Sequence, residues 1–194
     1  ANDSIDNQGT VKSASIDLSE KQIPEFNTSS IKPIPQKTEN FHDLNLWAYN
    51  YILIDVDSGY PLAQKDPHVP VAIASTTKIM TAMIVLENYN LNDIVTISPN
   101  SAYQIGSDVN LKIGKNYTVE SLLYALLIQS GNDAAMALAE HYQDGGLDGF
   151  VNAMNTKANN LGLTNTHYKD PAGLNDEGKS TAFDLAILAA YALK

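Results

Sequence analysis

The sequence predicts an α+β fold in which a β-hairpin is followed by a series of helices. Residues 48–63 are rich in β-branched and aromatic side chains on either side of a turn signal, Asp57-Ser58-Gly59. Residues 79–86 and 122–129 are strongly apolar and have the pattern of buried helices. Residues 1–46 are polar, with three prolines and scattered apolar residues, which is typical of an extended or disordered tail.

Composition limits the possible functions before any motif is considered. The chain has 194 residues and a formal net charge of −10, which fits one globular domain at residues 47–194 with an appended tail at residues 1–46. The acidity argues against nucleic acid as a partner, because phosphate binding needs a basic patch. Because the chain has no cysteine, disulfides and thiolate chemistry are excluded, and this suits an extracytoplasmic bacterial enzyme.

We expect neither a membrane span nor a signal peptide in these 194 residues. No run of about 18 apolar residues occurs in it, so we expect no transmembrane helix. Its first residues lack the charged and apolar regions of a signal peptide, so we expect any such signal to have been removed or omitted. The tail at residues 1–46 is either a spacer to a membrane or wall anchor or a segment without a role.

The elements follow in order along the chain. Residues 48–56 and 60–63 form the two strands of the hairpin, and Pro61 places the second strand at an edge or leaves its start unpaired. A helix runs from Ser75 to about Tyr89, and a short strand is expected at residues 94–97.

The C-terminal half is predicted to be mainly helical. Residues 99–117 form a connection rich in Gly, Ser and Asn, after which Thr118 caps a helix that ends before Ser130. Asn132 or Asp133 can cap the next helix. Further helices are expected at about 133–142, at 147–161 and from a capping box at Thr181–Asp184 to Leu193.

The first candidate site is Ser75-Thr76-Thr77-Lys78, at the start of an apolar helix. A serine and a lysine three residues apart lie on one face of a helix, so a hydroxyl and an amine are neighbours. Serine needs a base to become a good nucleophile, and a lysine serves as one when burial lowers its pKa. The same pattern also fits an N-cap serine followed by a solvated lysine, so this motif alone leaves both readings open.

The second candidate site is Ser130-Gly131-Asn132, in a predicted loop between two helices. Such a loop can aim a hydroxyl and an amide at one point, so Ser130 could pass a proton to a leaving amine while Asn132 binds a substrate amide. An ordinary helix connection with its cap is the alternative.

Together the two motifs resemble one family. Residues 73–82 and 127–135 are similar to the first and second signatures of the serine D-alanyl-D-alanine carboxypeptidases, the low-molecular-mass penicillin-binding proteins. Ser130 follows Ser75 by 55 positions (130 − 75), which also resembles the family. Residues 163–168, 171–174 and 180–182 continue the likeness, which covers the chain from about Trp47 onward.

The resemblance implies a fold and a mechanism. The fold is penicillin-binding-protein/β-lactamase-like: a five-stranded antiparallel sheet with helices on both sides, plus a helical lobe that carries the second motif. Ser75 would be the nucleophile, Lys78 its base and Ser130 the proton relay, while Asn132 binds the substrate. The substrate would be a peptidoglycan stem peptide ending in D-Ala-D-Ala, β-lactams would act as inhibitors, and no metal or organic cofactor is implied.

The third family motif, Lys-Thr-Gly, does not occur in this sequence. We therefore expect an N-terminal part of a catalytic domain that holds the hairpin of the central sheet and lacks its C-terminal strands. Such a sheet would be visibly incomplete, completed by a dimer or partner, or cut from a longer protein. Because the missing strand supplies an oxyanion donor, worth about 10²–10³ in kcat, we expect poor hydrolysis by this chain alone.

Two rival functions remain open. A class A β-lactamase would carry Ser-Asp-Asn at the second motif and a glutamate that activates water, but position 131 is Gly and the only later glutamates are Glu140 and Glu177. A non-catalytic β-lactam- or peptidoglycan-binding module fits the missing motif.

Other candidate sites are weak. The four histidines lack the spacing of paired metal ligands. Asp170 precedes Pro171, so a role in a turn accounts for it first.

Overall fold

The structure is a computed structural model, and it describes residues 34–36 and 45–193. Most of the predicted tail at residues 1–46 lies outside these ranges. The predicted hairpin is present: β1 (Tyr51–Ile54) pairs antiparallel with β2 (Pro61–Lys65). Pro61 is the first residue of β2, where a strand tolerates a missing N–H, and the register shifts between Leu53 and Ile54.

The hairpin sheet has two strands within the described residues, as expected for the start of an incomplete central sheet. The other strands form two separate small sheets. In one, β3 (Val71–Ala72) pairs with β6 (Lys179–Ser180); in the other, β4 (Ile94–Thr96) pairs with β5 (Asn116–Thr118). The sequence predicted β4, which is a run of β-branched residues, but not β3, β5 or β6, which are two or three residues long and have no such run.

The helix that begins near Ser75 is central to the fold. A short 3₁₀ turn (Ala74–Thr76) leads directly into α1 (Thr77–Asn88), as the apolar pattern predicted. Residues 80–85 of α1 are all buried, and all of them except Thr81 are apolar. The helix contacts four others, α3 (Val119–Ile128), α4 (Asn132–Glu140), α5 (Gly146–Asn160) and α6 (Ala182–Ala192).

Two predicted helix caps are confirmed. The Thr118 hydroxyl accepts a hydrogen bond from the Ser121 N–H at the start of α3, and the Thr181 hydroxyl accepts one from the Asp184 N–H at the start of α6. These bonds satisfy backbone donors that have no partner inside the helix.

Two other sequence predictions are wrong. The connection at residues 99–117 contains a short helix, α2 (Pro99–Ala102), which Ser98 and Ser101 close with a capping box. Helix α4 begins at Asn132 itself, with Gly131 as its N-cap and no side-chain cap. The side chain of Asn132 is therefore not occupied in capping its own helix.

Most of the largest fully buried side chains lie on helices; the others are one residue directly after β4 and two in the loop after α5. They are Met80, Val85, Ile97, Val119, Leu122, Leu126, Leu138, Phe150, Met154, Leu163, Tyr168 and Leu188. In the part of the chain that the structure describes, no helix has both the length and the apolarity that a bilayer crossing requires.

Asp133 joins the helical lobe to the loop that precedes it. Its carboxylate is fully buried and accepts hydrogen bonds from the Val109 N–H (3.1 Å) and the Leu111 N–H (3.0 Å). It also accepts one from the Ala134 N–H in the first turn of α4. The loop therefore has a fixed position against the start of α4.

We predict that Asp133→Ala lowers the free energy of unfolding by about 3 kcal/mol, because it leaves backbone donors without an acceptor in the interior. Asp133→Asn, which keeps one acceptor oxygen, should lose less. Urea unfolding followed by circular dichroism measures both, with Asp176→Ala at an exposed carboxylate as the control. Equal stability of the Asp133 and Asp176 variants would contradict this role.

Candidate active site

Ser75 and Lys78 lie together at the start of α1. The Lys78 ammonium nitrogen, Nζ, is 3.0 Å from the Ser75 hydroxyl oxygen, as the three-residue spacing predicted. Ser75 is exposed, whereas Lys78 is only 3% exposed. A reachable hydroxyl therefore sits beside an amine that is almost excluded from water.

Asn132 meets this pair from the first turn of α4. Its side-chain oxygen, Oδ1, is 2.7 Å from Lys78 Nζ, and its amide nitrogen donates to the Ile105 carbonyl at 2.6 Å. The Asn132 backbone N–H donates to the Ser107 carbonyl at 2.7 Å. The Ile105 carbonyl can accept only from the NH₂ end, so the amide is held with its oxygen toward Lys78.

A third partner of Lys78 is a backbone carbonyl. The Ala172 oxygen is 3.0 Å from Lys78 Nζ. The carbonyl of the preceding residue, Pro171, accepts from the Thr81 hydroxyl at 2.6 Å, one turn further along α1. The loop around Ala172 therefore packs along the same face of α1 that carries the amine.

These contacts set the electrostatics of the amine. Burial lowers the pKa of Lys78 from its ordinary value, because water no longer solvates the charged form, and the negative charge of Asp170 opposes part of this shift. A protonated amine has three N–H donors, matching its three acceptors. A neutral amine has two donors and one lone pair, so one contact can become proton acceptance from Ser75.

Ser130 is the one predicted site residue that lacks a hydrogen bond to the others. It follows the end of α3, is half-buried, and makes no side-chain hydrogen bond with the part of the chain the structure describes. Its φ of +55° is in the left-handed region, which costs a non-glycine residue about 1 kcal/mol or more. The structure thus joins Ser75, Lys78 and Asn132 directly, and places Ser130 on a strained loop two residues before Asn132.

Sequence reasoning missed the backbone groups of the site. The carbonyls of Ala172 and Ile105 position the amine and the amide, and every residue has a carbonyl, so no side-chain pattern marks them. Gly173 is the nearest available signal, with a φ of +78° and a backbone so close to Ala74 that an added Cβ would lie 1.8 Å from the Ala74 oxygen. A side chain there would displace the loop from α1.

The two later glutamates are occupied elsewhere. Glu140 accepts from the Ser98 hydroxyl and the Asn100 amide, both at 2.6 Å, at the start of α2. Glu177 is exposed and lies 3.4 Å from Lys169. Over residues 34–36 and 45–193, no three His, Asp or Glu side chains are grouped as a metal site would require.

The arrangement is suited to acyl transfer. An exposed hydroxyl, a buried amine of lowered pKa and a fixed carboxamide meet where two helices begin, and the N-terminal end of α1 adds a partial positive charge. A nucleophile with an adjacent base can attack a carbonyl carbon, and a neighbouring amide can bind the group attached to that carbonyl.

Comparison with known proteins identifies relatives of this chain. The sequence model of the D-alanyl-D-alanine carboxypeptidase family matches residues 36–194. D-alanyl-D-alanine carboxypeptidase DacF of Bacillus subtilis is 40% identical over 153 residues, which are 76% of this chain and 39% of DacF. A D-alanyl-D-alanine endopeptidase of Pseudomonas aeruginosa is 37% identical over 139 residues, covering 71% of this chain and 44% of that protein.

Solved structures agree with the sequence relatives. A penicillin-binding protein homologue from Mycobacterium tuberculosis superposes with a TM-score of 0.75 and 37% identity, covering 82% of this chain and 61% of the other. The chain spans less than half the length of the two curated relatives described above.

We predict that Lys78 makes stability depend on pH. Because its pKa is lower in the folded than in the unfolded chain, the unfolded chain binds more protons between the two values, and stability rises with pH there. The cost of burying Lys78 is therefore largest below its folded pKa and is relieved as the pH approaches 10.5. The free energy of unfolding of the wild type minus that of Lys78→Met should therefore rise as the pH increases across this window.

Urea unfolding at a series of pH values measures that difference, and other titrating groups cancel in it. Lys112→Met, at an exposed lysine, controls for the lost charge. A difference for Lys78→Met that stays flat or falls with pH would contradict the prediction.

Proposed function

The chain belongs to the D-alanyl-D-alanine carboxypeptidase family, and we propose that it carries the nucleophile, base and amide anchor of a serine-type enzyme that acts on peptidoglycan. The substrate is a stem peptide that ends in D-Ala-D-Ala. The observation that supports this most strongly is the position of Lys78 Nζ, 3.0 Å from the Ser75 hydroxyl and 2.7 Å from Asn132 Oδ1.

The first step forms an acyl-enzyme. The Ser75 oxygen attacks the carbonyl carbon between the two terminal D-alanines, and Lys78 takes the hydroxyl proton. The Ser75 backbone N–H stabilises the oxyanion, and Asn132 binds the peptide amide. Ser130 relays the proton that Lys78 has taken to the nitrogen of the departing D-alanine as the C–N bond breaks, so the amine is neutral again.

The second step releases the product. Water attacks the ester carbonyl and gives a proton to Lys78, the bond to the Ser75 oxygen breaks, and Lys78 returns that proton to the Ser75 oxygen. β-Lactams undergo the same first step, but their leaving nitrogen stays tethered to the acyl group, so the enzyme is trapped at Ser75.

The place of action and the partners follow from the substrate. Since peptidoglycan lies outside the cytoplasmic membrane, the proposed location is extracytoplasmic. The chain has no Lys-Thr-Gly, so we propose that these 194 residues alone turn over slowly, and that further strands, a dimer or another partner complete the sheet beside β1 and β2.

The absence of a Lys-Thr-Gly motif favours one alternative, a binding module without catalytic turnover. A module that binds β-lactam or peptidoglycan without turnover needs Ser75, Lys78 and Asn132 but not a third motif, which the chain lacks. A β-lactamase is less well supported, because Glu140 is engaged at the start of α2 and Glu177 is paired at the surface.

We predict that Ser75→Ala abolishes covalent labelling by a fluorescent penicillin in the gene product that carries these residues. Gel fluorescence and mass spectrometry of the labelled peptide measure this. Ser121→Ala, at an exposed serine in the first turn of α3, is the matched control and should label like the wild type. Labelling that persists in Ser75→Ala would remove Ser75 from the nucleophile role.

The same protein distinguishes the alternatives. Release of D-alanine from a D-Ala-D-Ala peptide supports the carboxypeptidase, labelling without release supports the binding module, and rapid hydrolysis of the penicillin supports a β-lactamase. Release of D-alanine by the isolated 194-residue chain at the rate of its full-length relatives would refute the proposal of slow turnover.

Ser130 offers a second prediction, because its backbone and its hydroxyl can be tested separately. Ser130→Gly removes the hydroxyl but accepts a φ of +55° without strain, so the free energy of unfolding should stay level or rise by up to about 1 kcal/mol. If the hydroxyl relays a proton, D-alanine release should fall by about 10²-fold or more. Unchanged release in a stable Ser130→Gly variant would show that the hydroxyl takes no part.

A further inference from the structure

Asp170 holds the loop that reaches Lys78, although its own hydrogen bonds within the described residues go to neither Ser75 nor Lys78. One carboxylate oxygen accepts from the N–H groups of Ala172 (2.7 Å), Gly173 (2.6 Å) and Leu174 (3.2 Å). The other accepts from the Asn175 N–H at 2.8 Å. Four consecutive backbone donors therefore converge on one half-buried side chain.

Two of these donors belong to peptide groups whose carbonyls face α1. The Ala172–Gly173 peptide donates its N–H to Asp170 and presents its C=O to Lys78 Nζ at 3.0 Å. The peptide before it, Pro171–Ala172, donates its N–H to Asp170 and presents its C=O to the Thr81 hydroxyl at 2.6 Å. Because N–H and C=O point in opposite directions in a planar trans peptide, each plane is held at both ends.

The held carbonyl decides where the base points. When Lys78 is neutral, its two N–H groups are taken by Asn132 Oδ1 and the Ala172 oxygen, and its lone pair is left facing the Ser75 hydroxyl. Without the Ala172 acceptor, the amine could rotate and direct an N–H instead of its lone pair at Ser75. A negative charge on Asp170 also polarises the shared peptide and strengthens its carbonyl as an acceptor.

We propose that Asp170 is a positioning residue for the Lys78 base: by clamping the Ala172–Gly173 peptide, it fixes the carbonyl that orients the amine toward Ser75. Its effect on rate rests on the function proposed above, whereas its effect on the amine itself does not.

The charges around the amine make this proposal testable by pH. The negative charge of Asp170 raises the pKa of Lys78 against the larger lowering by burial. Of the neighbouring charged groups, Asp133 is bonded to the N–H groups of Val109 and Leu111, and Lys169 is paired with Glu177. Because the charge of Asp170 raises the pKa of Lys78, we expect that removing this charge lowers the pKa further.

The experiment compares the wild type with Asp170→Asn, Asp170→Ala and the control Asp176→Asn, which loses the same charge from an exposed position in the same loop. Asp170→Asn keeps one oxygen that can accept from Ala172, Gly173 and Leu174, but cannot accept from Asn175. Acylation by a fluorescent penicillin is followed against pH in the gene product that carries these residues, with thermal unfolding in parallel.

The Lys78 amine is also titrated directly, without any reaction, by ¹³C NMR of lysine labelled at Cε. The Lys78 signal is assigned by its loss in Lys78→Gln. This measurement separates the two proposals, because it reports on the amine even if the wild type is not acylated, a result that would count against the proposed function alone.

We expect Asp170→Ala to lower the acylation rate at its high-pH plateau by about 10- to 100-fold, because the base is misoriented. Asp170→Asn should keep the plateau within about fivefold, the value of roughly one hydrogen bond. In both variants the pKa of Lys78 and the acidic limb of the rate should move to lower pH, while Asp176→Asn matches the wild type.

Two results would overturn the proposal. One is an acylation rate of Asp170→Ala that has the same high-pH plateau and the same acidic limb as that of the wild type. The other is an equal loss in both Asp170 variants, with lower thermal stability and an unmoved Lys78 titration, which would mean that Asp170 only supports the fold. If Asp170→Ala does not fold, Asp170→Asn decides, since an unshifted limb and an unshifted amine titration in that variant also reject the proposal.

Discussion

The burial of one amine is the constraint on which this structure depends. An amine that is withheld from water must find acceptors for its N–H groups inside the protein, because an unsatisfied buried donor or charge is costly. Lys78 finds one acceptor three residues away, one 54 residues away and one 94 residues away. Two distant parts of the chain must therefore converge on the first turn of α1, and the helices that pack around α1 bring them there.

The groups that surround the amine are mostly carried by loops and helix beginnings, while most of the buried core belongs to helices. Ala74, next to Ser75, and Ser130, two residues before Asn132, both have a positive φ, at 46° and 55°. Backbone strain of this kind persists where surrounding contacts hold it, and it is often found at functional sites. Asp133 and Asp170 each accept several backbone hydrogen bonds, and they hold the loops that lead to Asn132 and to the Ala172 carbonyl.

Much of the architecture could be predicted because long elements carry a repeated signal. The hairpin turn, the apolar length of α1 and the caps at Thr118 and Thr181 each act within a few residues, so the local sequence contains them. The short strands β3 and β6 could not be found in this way. They are two residues long and exist because distant segments meet, which no local pattern records.

The sequence by itself determined that Ser75 and Lys78 are neighbours, because the helical repeat fixes a three-residue separation on one face. It also marked Ser130 and Asn132 as the residues most able to join them. Only the tertiary structure decided that Asn132 turns its oxygen to the amine, that the Ser130 hydroxyl makes no hydrogen bond to Ser75, Lys78 or Asn132, and that the Ala172 carbonyl and the Asp170 carboxylate complete the surroundings of Lys78. The physical reason is that a backbone carbonyl is common to every residue, so its direction depends on how the loop is held and not on which side chain it bears.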